Sequence, residues 1–219
     1  EHVLWIRSSE RMQRSEVGPL VEAFRWLVDS QNWNAVVQGL VADAVSQPWW
    51  YALFSIAWLV MLFNQARLRR VLGELSELAG KKNCVVFRYT AEAAVVTFLI
   101  ALPVPILFLF FNWRLRGLDE LNGDFAKSFA NGLLLASAVF FPLELMRQTS
   151  RLGGLGSKHF EWTEKGARIL RTNLRWLIDF SLPIVVVIAI FSSHNNPRWE
   201  SSLGRVAFIL LMVLLAIFF

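Results

Sequence analysis

Long apolar runs alternate along the chain with shorter segments rich in Lys and Arg. Five runs approach the roughly 20 residues that a helix needs to cross the hydrocarbon of a bilayer. The predicted spans are residues 48–63, 92–111, 128–146, 173–191 and 203–219. This pattern predicts an all-α polytopic membrane protein with about five transmembrane helices.

Residues 16–46 contain two stretches in which apolar residues recur at helical spacing, without the length of a span. We interpret the second stretch as an amphipathic interfacial helix that leads into span one. A helix packed on an extracytoplasmic domain is an open alternative. Residues 1–47 are therefore predicted to form an extracytoplasmic linker with amphipathic helices, and residues 48–219 the transmembrane region.

The distribution of basic residues predicts the orientation of these spans. Most Lys and Arg residues lie in the loops after spans one and three, and the other loops are poorer in them. Short basic loops remain on the cytoplasmic side of a membrane. Loops 64–91 and 147–172 are therefore predicted to be cytoplasmic, and residues 1–47 to lie outside, which in a Gram-negative cell is the periplasmic side.

Composition agrees with the membrane class. Of the 219 residues, 55% are hydrophobic and 14% aromatic, and the mean hydropathy is +0.45, which is too apolar for a soluble domain of this length. The net charge of +5 is also compatible with a protein that binds nucleic acid. We exclude nucleic acid as a partner because the basic residues lie between long apolar runs. Membrane lipids are the expected partners.

Aromatic and proline residues mark two kinds of position within the predicted spans. Trp49 and Trp50 open span one, where an aromatic belt would contact the lipid interface. Proline removes a backbone donor and tends to kink a helix. We favour ordinary tolerance of proline in membrane helices over a bent, tension-sensing role. The candidate kinks are Pro103, Pro105, Pro142 and Pro183.

Charged residues near the span ends are candidates for pairing. Glu92, Glu144 and Asp179 fall toward the predicted cytoplasmic side, where water or a basic residue can reach them. Arg175 and Asp179 are spaced i, i+4, and Glu144 is close to Arg147, so local pairing is favoured over an ion or proton pathway. Arg175 and Asp179 are candidates for helix pairing or for the lipid interface.

No catalytic, metal-binding or cofactor-binding pattern is present in the sequence. His2, His159 and His194 are scattered over different loops, and Cys84 has no partner for an intrachain disulfide. The glycines of RLGGLGSK lack the order of a phosphate loop, so we expect a flexible link there. After it, residues 164–175 form a basic helical surface, and either attraction to anionic headgroups or a plain solvated loop explains it. We do not expect an enzyme.

Several longer segments resemble the inner-membrane region of large mechanosensitive channels, the MscK/KefA type of the MscS superfamily. They are EHVLWIRSS, NWNAVVQGLVADAVSQPWW, NQARLRRVLGELSEL, GLGSKHFEWTEKGARILRTNLRWLIDFSLP and WESSLGRVAFILLMVLLAIFF. The resemblance covers nearly the whole chain. It implies a homo-oligomer, a heptamer in this family, within an inner membrane.

The resemblance also implies that a pore helix and a cytoplasmic domain lie C-terminal to this chain, which we expect to be a fragment. The fifth span is rich in Leu, Ile, Val and Phe and lacks the Gly/Ala ridge of that family's pore helix. The segment is thus expected to sense membrane tension. A secondary transporter is the alternative, because interrupted spans and an ionisable group such as Asp179 mark substrate sites in transporters.

Overall fold

The computed structural model describes residues 17–79, 87–118, 123–151, 154–158, 162–194 and 196–218. These residues are almost entirely helical and include no strand, which confirms the all-α prediction. The helices are α1 (Val17–Val28), α2 (Ser30–Ser46), α3 (Pro48–Ala79), α4 (Phe87–Ala101), α5 (Pro103–Arg116), α6 (Gly123–Thr149), α7 (Leu155–Lys158), α8 (Glu164–Ser193), α9 (Pro197–Trp199) and α10 (Arg205–Phe218), with a π-helical turn at Glu200–Gly204.

Four helical segments are long and apolar enough to cross a membrane: Pro48–Glu77, Asp124–Thr149, Glu164–Ser193 and Glu200–Phe218. A fifth candidate is the pair α4 and α5, which are bent by 49° at the break between them. The structure thus confirms the polytopic prediction, with one of the five spans broken.

Helices α6 and α8 form the centre of the fold, and α4, α5 and α10 pack against them. Gly132 of α6 permits their close approach, because a Cβ there would lie 3.3 Å from the backbone oxygen of Val186. Ala126, Ala130 and Ala136 of the same helix are almost fully buried. Small side chains let helix backbones approach closely, and dispersion contacts then hold helices together where lipid offers no hydrophobic gain.

The outer helices are much less buried than α6 and α8. The apolar window of α3 has none of its residues buried inside the chain, against 39% for α6 and 44% for α8. α3 packs mainly on α4, and α10 packs on α8. Most of the surface of α3 therefore faces outward, where the surrounding lipid is its expected contact.

Two helices continue well beyond their predicted spans. α3 extends 16 residues past residue 63, and α8 begins at Glu164, nine residues before the predicted span. Neither extension contains proline, and both are rich in the good helix formers Leu, Arg and Glu. The basic segment 164–175 is therefore the first part of α8 and not a separate surface helix.

The segment expected to be a flexible link is packed over its described part, residues 154–158. Leu155 is buried, and Gly156 lies against the ring of Trp162 and the backbone of Thr149. A Cβ on Gly156 would meet atoms of each of those residues at 2.8 Å. This glycine is needed for close approach and not for flexibility.

The two helices predicted before span one are present as α1 and α2. Asp29 begins α2 by accepting a hydrogen bond from the backbone N–H of Gln31 at 3.0 Å. Trp26 of α1 contacts the rings of Phe125, Phe191, His194 and Trp199, with centroid distances between 4.5 and 6.1 Å. These contacts attach α1 to the ends of the central helices. Val37, Val41 and Val45 form an exposed row along α2.

Candidate functional site

The break between α4 and α5 coincides with two prolines at the start of α5. Pro103 and Pro105 have no backbone N–H, so they cannot donate to carbonyls of the last turn of α4. The helix direction changes by 49° at this point. Pro142 and Pro183 lie inside α6 and α8, which continue through them as single helices. Of the four candidate kinks, Pro103 and Pro105 thus coincide with a break in a span, whereas Pro142 and Pro183 lie within continuous helices.

Side chains of two neighbouring helices hydrogen-bond the backbone on either side of the break. Trp58 Nε1 of α3 donates to the Pro103 carbonyl at 2.9 Å, and Gln65 Nε2 donates to the Ile100 carbonyl at 3.3 Å. Ser137 Oγ of α6 donates to the Pro105 carbonyl at 3.2 Å. Polar groups in the hydrocarbon region need such partners. The break is therefore attached to α3 on one side and to α6 on the other.

An apolar cavity of about 320 Å³ lies beside the break. Its wall comes from α4, α5 and α6 and includes Phe98, Leu109, Leu134 and Phe141. Among the described residues that line it, none has an ionisable side chain. The cavity leaves space beside the broken span, whose contact with α6 there includes the hydrogen bond from Ser137 to the Pro105 carbonyl.

One end of the bundle is held by a buried ion pair that the sequence analysis missed. Arg114 of α5 donates to both carboxylate oxygens of Asp43 in α2, with Nε to Oδ2 at 2.8 Å. Each side chain is 9% exposed. Tyr51 of α3 donates its hydroxyl to Asp43 at 2.7 Å, and Arg114 also bonds Gln47. We call these four residues the clamp, because they join α2, α3 and α5.

The electrostatics of the clamp favour the charged form of Asp43. The hydrogen bond from Arg114 lowers the pKa of this carboxyl below its ordinary value, although burial acts in the opposite direction. The guanidinium also lies over the ring of Trp113, with 4.8 Å to the centroid. The sequence offered two signals for this pair. Asp43 lies near the end of a predicted helix, and Arg114 lies just after a predicted span, on the same predicted side of the membrane.

Trp49 and Trp50 occupy different environments at the start of α3. Trp49 is 84% exposed, and Trp50 packs edge-to-face on Trp113 with centroids 5.3 Å apart. Trp113 contacts the clamp arginine. Trp50 thus connects the outer surface to the clamp, and the place of both residues at the lipid interface stays a prediction.

At the other end of α6, the predicted pairing of Glu144 with Arg147 is confirmed. Arg147 donates to both carboxylate oxygens of Glu144 at 2.7 Å, and Gln148 adds a third hydrogen bond. Glu92 pairs with Arg88 at 2.7 Å on an exposed surface. These acidic groups are therefore engaged locally.

The spacing of Arg175 and Asp179 is not accompanied by an ion pair within the part of the chain that the structure describes. Asp179 is exposed, and its charge acts on Arg147. Arg175 instead lines a cavity with other arginines. Their role at the lipid interface remains a prediction.

Several residues considered in the sequence lie outside the described ranges, namely Cys84, His2, His159 and residues 1–16 of the linker. His194 contacts the rings of Trp26 and Trp199, which also contact each other. Within the described residues, no group of three or more His, Cys, Asp and Glu side chains could hold a metal ion.

Comparison with known proteins gives a consistent result. The family model described as "Mechanosensitive ion channel inner membrane domain 1" matches residues 48–219. The miniconductance mechanosensitive channel MscM of Escherichia coli (strain K12) is 23% identical to this chain over 190 residues, which are 86% of this chain and 17% of that channel. This chain thus spans less than a fifth of that relative. No solved structure is significantly similar.

Proposed function

This chain belongs to the mechanosensitive ion channel inner membrane domain family, and we propose that its helices couple bilayer tension to the opening of a pore formed elsewhere in the full-length protein. The resemblance to the MscS superfamily is confirmed, and the chain is a multi-pass segment of an inner membrane. The family is one of ion channels and not of enzymes.

The physical basis of sensing is a difference in membrane area between two states. Tension favours the state that occupies more area, and the steepness of the response to tension grows with that difference. A helix that tilts, or a bent span that changes its angle, alters both area and hydrophobic thickness. The sensing elements must therefore face lipid and be able to change shape.

The observation that carries the proposal is the broken span attached to an outward-facing helix. The apolar window of α3 is unburied, so bilayer forces act on it directly. Trp58 and Gln65 of that helix bond the backbone of Ile100 and Pro103 at the break. A displacement of α3 is thereby transmitted to the bend, and the adjacent apolar cavity leaves space for the bend to change.

The remaining features of the proposal follow the positive-inside rule and the family. Residues 1–47 lie on the periplasmic side, and segments 64–91 and 147–172 lie on the cytoplasmic side. The pore helix and a cytoplasmic domain follow this segment in the full-length chain, which assembles as a homo-oligomer, a heptamer. The exposed row of valines on α2 supports an interfacial position for that helix.

The test compares two double substitutions in the full-length channel, measured as currents under pressure steps on membrane patches. Pro103→Ala/Pro105→Ala restores two backbone donors at the break, which favours a continuous helix and reduces the change in area on opening. The expected result is a less steep dependence of open probability on tension.

The matched control is Pro142→Ala/Pro183→Ala, which also removes two prolines but from helices without a break. This variant should keep the steepness of the parent channel. An unchanged steepness in the Pro103→Ala/Pro105→Ala variant, or an equal change in both variants, would contradict a sensing role for the break.

The described residues show few of the features expected of a secondary transporter. Substrate sites in broken spans are formed by polar and ionisable groups near the middle of the membrane. The cavity at this break is lined by apolar side chains and one serine, and Asp179 is exposed elsewhere. The channel proposal is therefore preferred.

A further inference from the structure

Arginine side chains from α6 and α8 converge on a cavity of about 270 Å³ at the end of the bundle opposite the clamp. Its lining is Arg147, Ser150, Arg168, Arg171, Thr172 and Arg175. The three arginines of α8 are spaced i, i+3 and i+7, which places them on one face of the helix. The fold thus directs four guanidinium groups and two hydroxyl-bearing residues to one space.

The positive charge there exceeds the negative charge that is bonded to it. Glu144 pairs with Arg147, and Asp179 acts on the same arginine from α8. Among the described residues, Arg168, Arg171 and Arg175 form no ion pair. The arrangement therefore has several guanidinium donors available for a further anion.

A second arginine group lies next to this cavity. Burial lowers the pKa of the Arg151 guanidinium, and the charges of Arg69 and Arg171 lower it further. Arg69 belongs to α3, so three parts of the chain bring like charges together at this end. Such clustering is unfavourable unless an anion compensates it.

We propose that this cavity binds a phosphate-bearing anion between α6 and α8. Arginine presents a planar fork of donors that matches phosphate oxygens and forms bidentate hydrogen bonds with them. Basic pockets between membrane helices on the cytoplasmic side bind anionic lipid headgroups, and a soluble phosphate offers the same chemistry. The binding proposed here does not depend on the tension-sensing role.

The experiment measures apparent dissociation constants by native mass spectrometry of the full-length protein in detergent. The probes are phosphatidylglycerol, phosphatidylcholine and, separately, inorganic phosphate. The double variant Arg171→Gln/Arg175→Gln removes two guanidinium groups from the cavity. It should weaken binding of the phosphate-bearing anion by about tenfold or more, since charge-assisted hydrogen bonds are the stronger class.

The control is Arg67→Gln/Arg70→Gln, which removes two exposed arginines of α3 from the same end of the bundle without touching the cavity. It should change the affinity by less than about twofold, because a general attraction by surface charge is weak and screened. An equal loss in the control and in the cavity variant would overturn the proposal.

The probes separate the possible sources of the anion. Weaker binding of phosphatidylglycerol alone assigns a lipid headgroup, and weaker binding of inorganic phosphate alone assigns a soluble anion. Unchanged affinity for both overturns the proposal. If the double variant does not fold, the exposed Arg168→Gln serves instead, with about a threefold loss expected and an unchanged affinity counting against the site.

Discussion

The two ends of the helix bundle differ in whether their charged side chains are neutralised within the chain. At one end, Asp43 and Arg114 neutralise each other in a buried, bidentate pair that Tyr51 and Gln47 complete. At the other, four arginines line one cavity and Glu144 is the carboxylate bonded to one of them. The first end is satisfied within the chain, whereas the second has donors left for an external anion. We call the clamp end of the bundle the fixed end, and the end with the arginine-lined cavity the arginine end.

The proposed sensing role requires the segment to be stable and yet able to move. At the fixed end, the clamp joins α2, α3 and α5, and the aromatic contacts of Trp26 hold α1 to the central helices. Breaking a buried ion pair by removing one partner leaves an uncompensated charge, which is costly. The bend between α4 and α5 has hydrogen bonds to α3 and α6 but an apolar cavity at its side. We therefore expect motion at the bend to cost less free energy than motion at the clamp.

The largest effect is expected from Asp43→Ala, which leaves Arg114 buried without its carboxylate. Unfolding of the full-length protein in mixed detergent micelles should show a loss of about 3 kcal/mol. The double variant Asp43→Ala/Arg114→Leu should recover part of this loss, because the unpaired charge is gone. A loss no larger than that of Glu92→Ala, which removes the acid of an exposed pair, would contradict the clamp.

Acid should remove a smaller part of the same stabilisation. Arg114 lowers the pKa of Asp43 below its ordinary value of 3.8, so the folded state favours the carboxylate. The stabilisation is fully present above about pH 4 and is lost as pH falls through the lowered pKa. The difference in unfolding free energy between the parent and Asp43→Asn should therefore shrink below about pH 4. A difference that is constant down to about pH 2 would mean that Asp43 does not titrate as proposed.

The smallest effect, with the opposite sign, is expected from Arg171→Gln at the arginine end. In neutral detergent without anionic lipid or phosphate, the substitution relieves repulsion and should raise stability by a few tenths of a kcal/mol, about the size of a surface charge effect. The gain should fall as salt screens the charges. Thermal unfolding at low and high ionic strength measures it. Destabilisation at low salt would show that the arginines are not in excess there.

The apolar runs of the sequence were informative because the membrane imposes a simple rule. A spanning helix needs a long apolar run, and each of the predicted runs overlaps a candidate span of the structure. Helix ends were predicted less well. α3 and α8 extend into basic segments because leucine, arginine and glutamate continue a helix once it has started.

The candidate site was only partly accessible from the sequence. Four prolines were equivalent in the pattern, yet the pair Pro103 and Pro105 coincides with a break, and Pro142 and Pro183 do not. Trp58 and Ser137 lie far from the break in sequence, and no local pattern relates them to it. The pairing of Glu144 with Arg147 was predictable because both residues lie on one helix turn.

By itself, the sequence determined the helical class, the number of apolar segments and the bias of basic residues, since these follow from local composition and the thickness of a bilayer. Only the tertiary structure decided that Asp43 meets Arg114 across 71 positions of sequence, and that arginines of α6 and α8 share one cavity. The physical reason is that hydrogen bonds and charge act over a few ångströms, so packing selects which distant side chains interact.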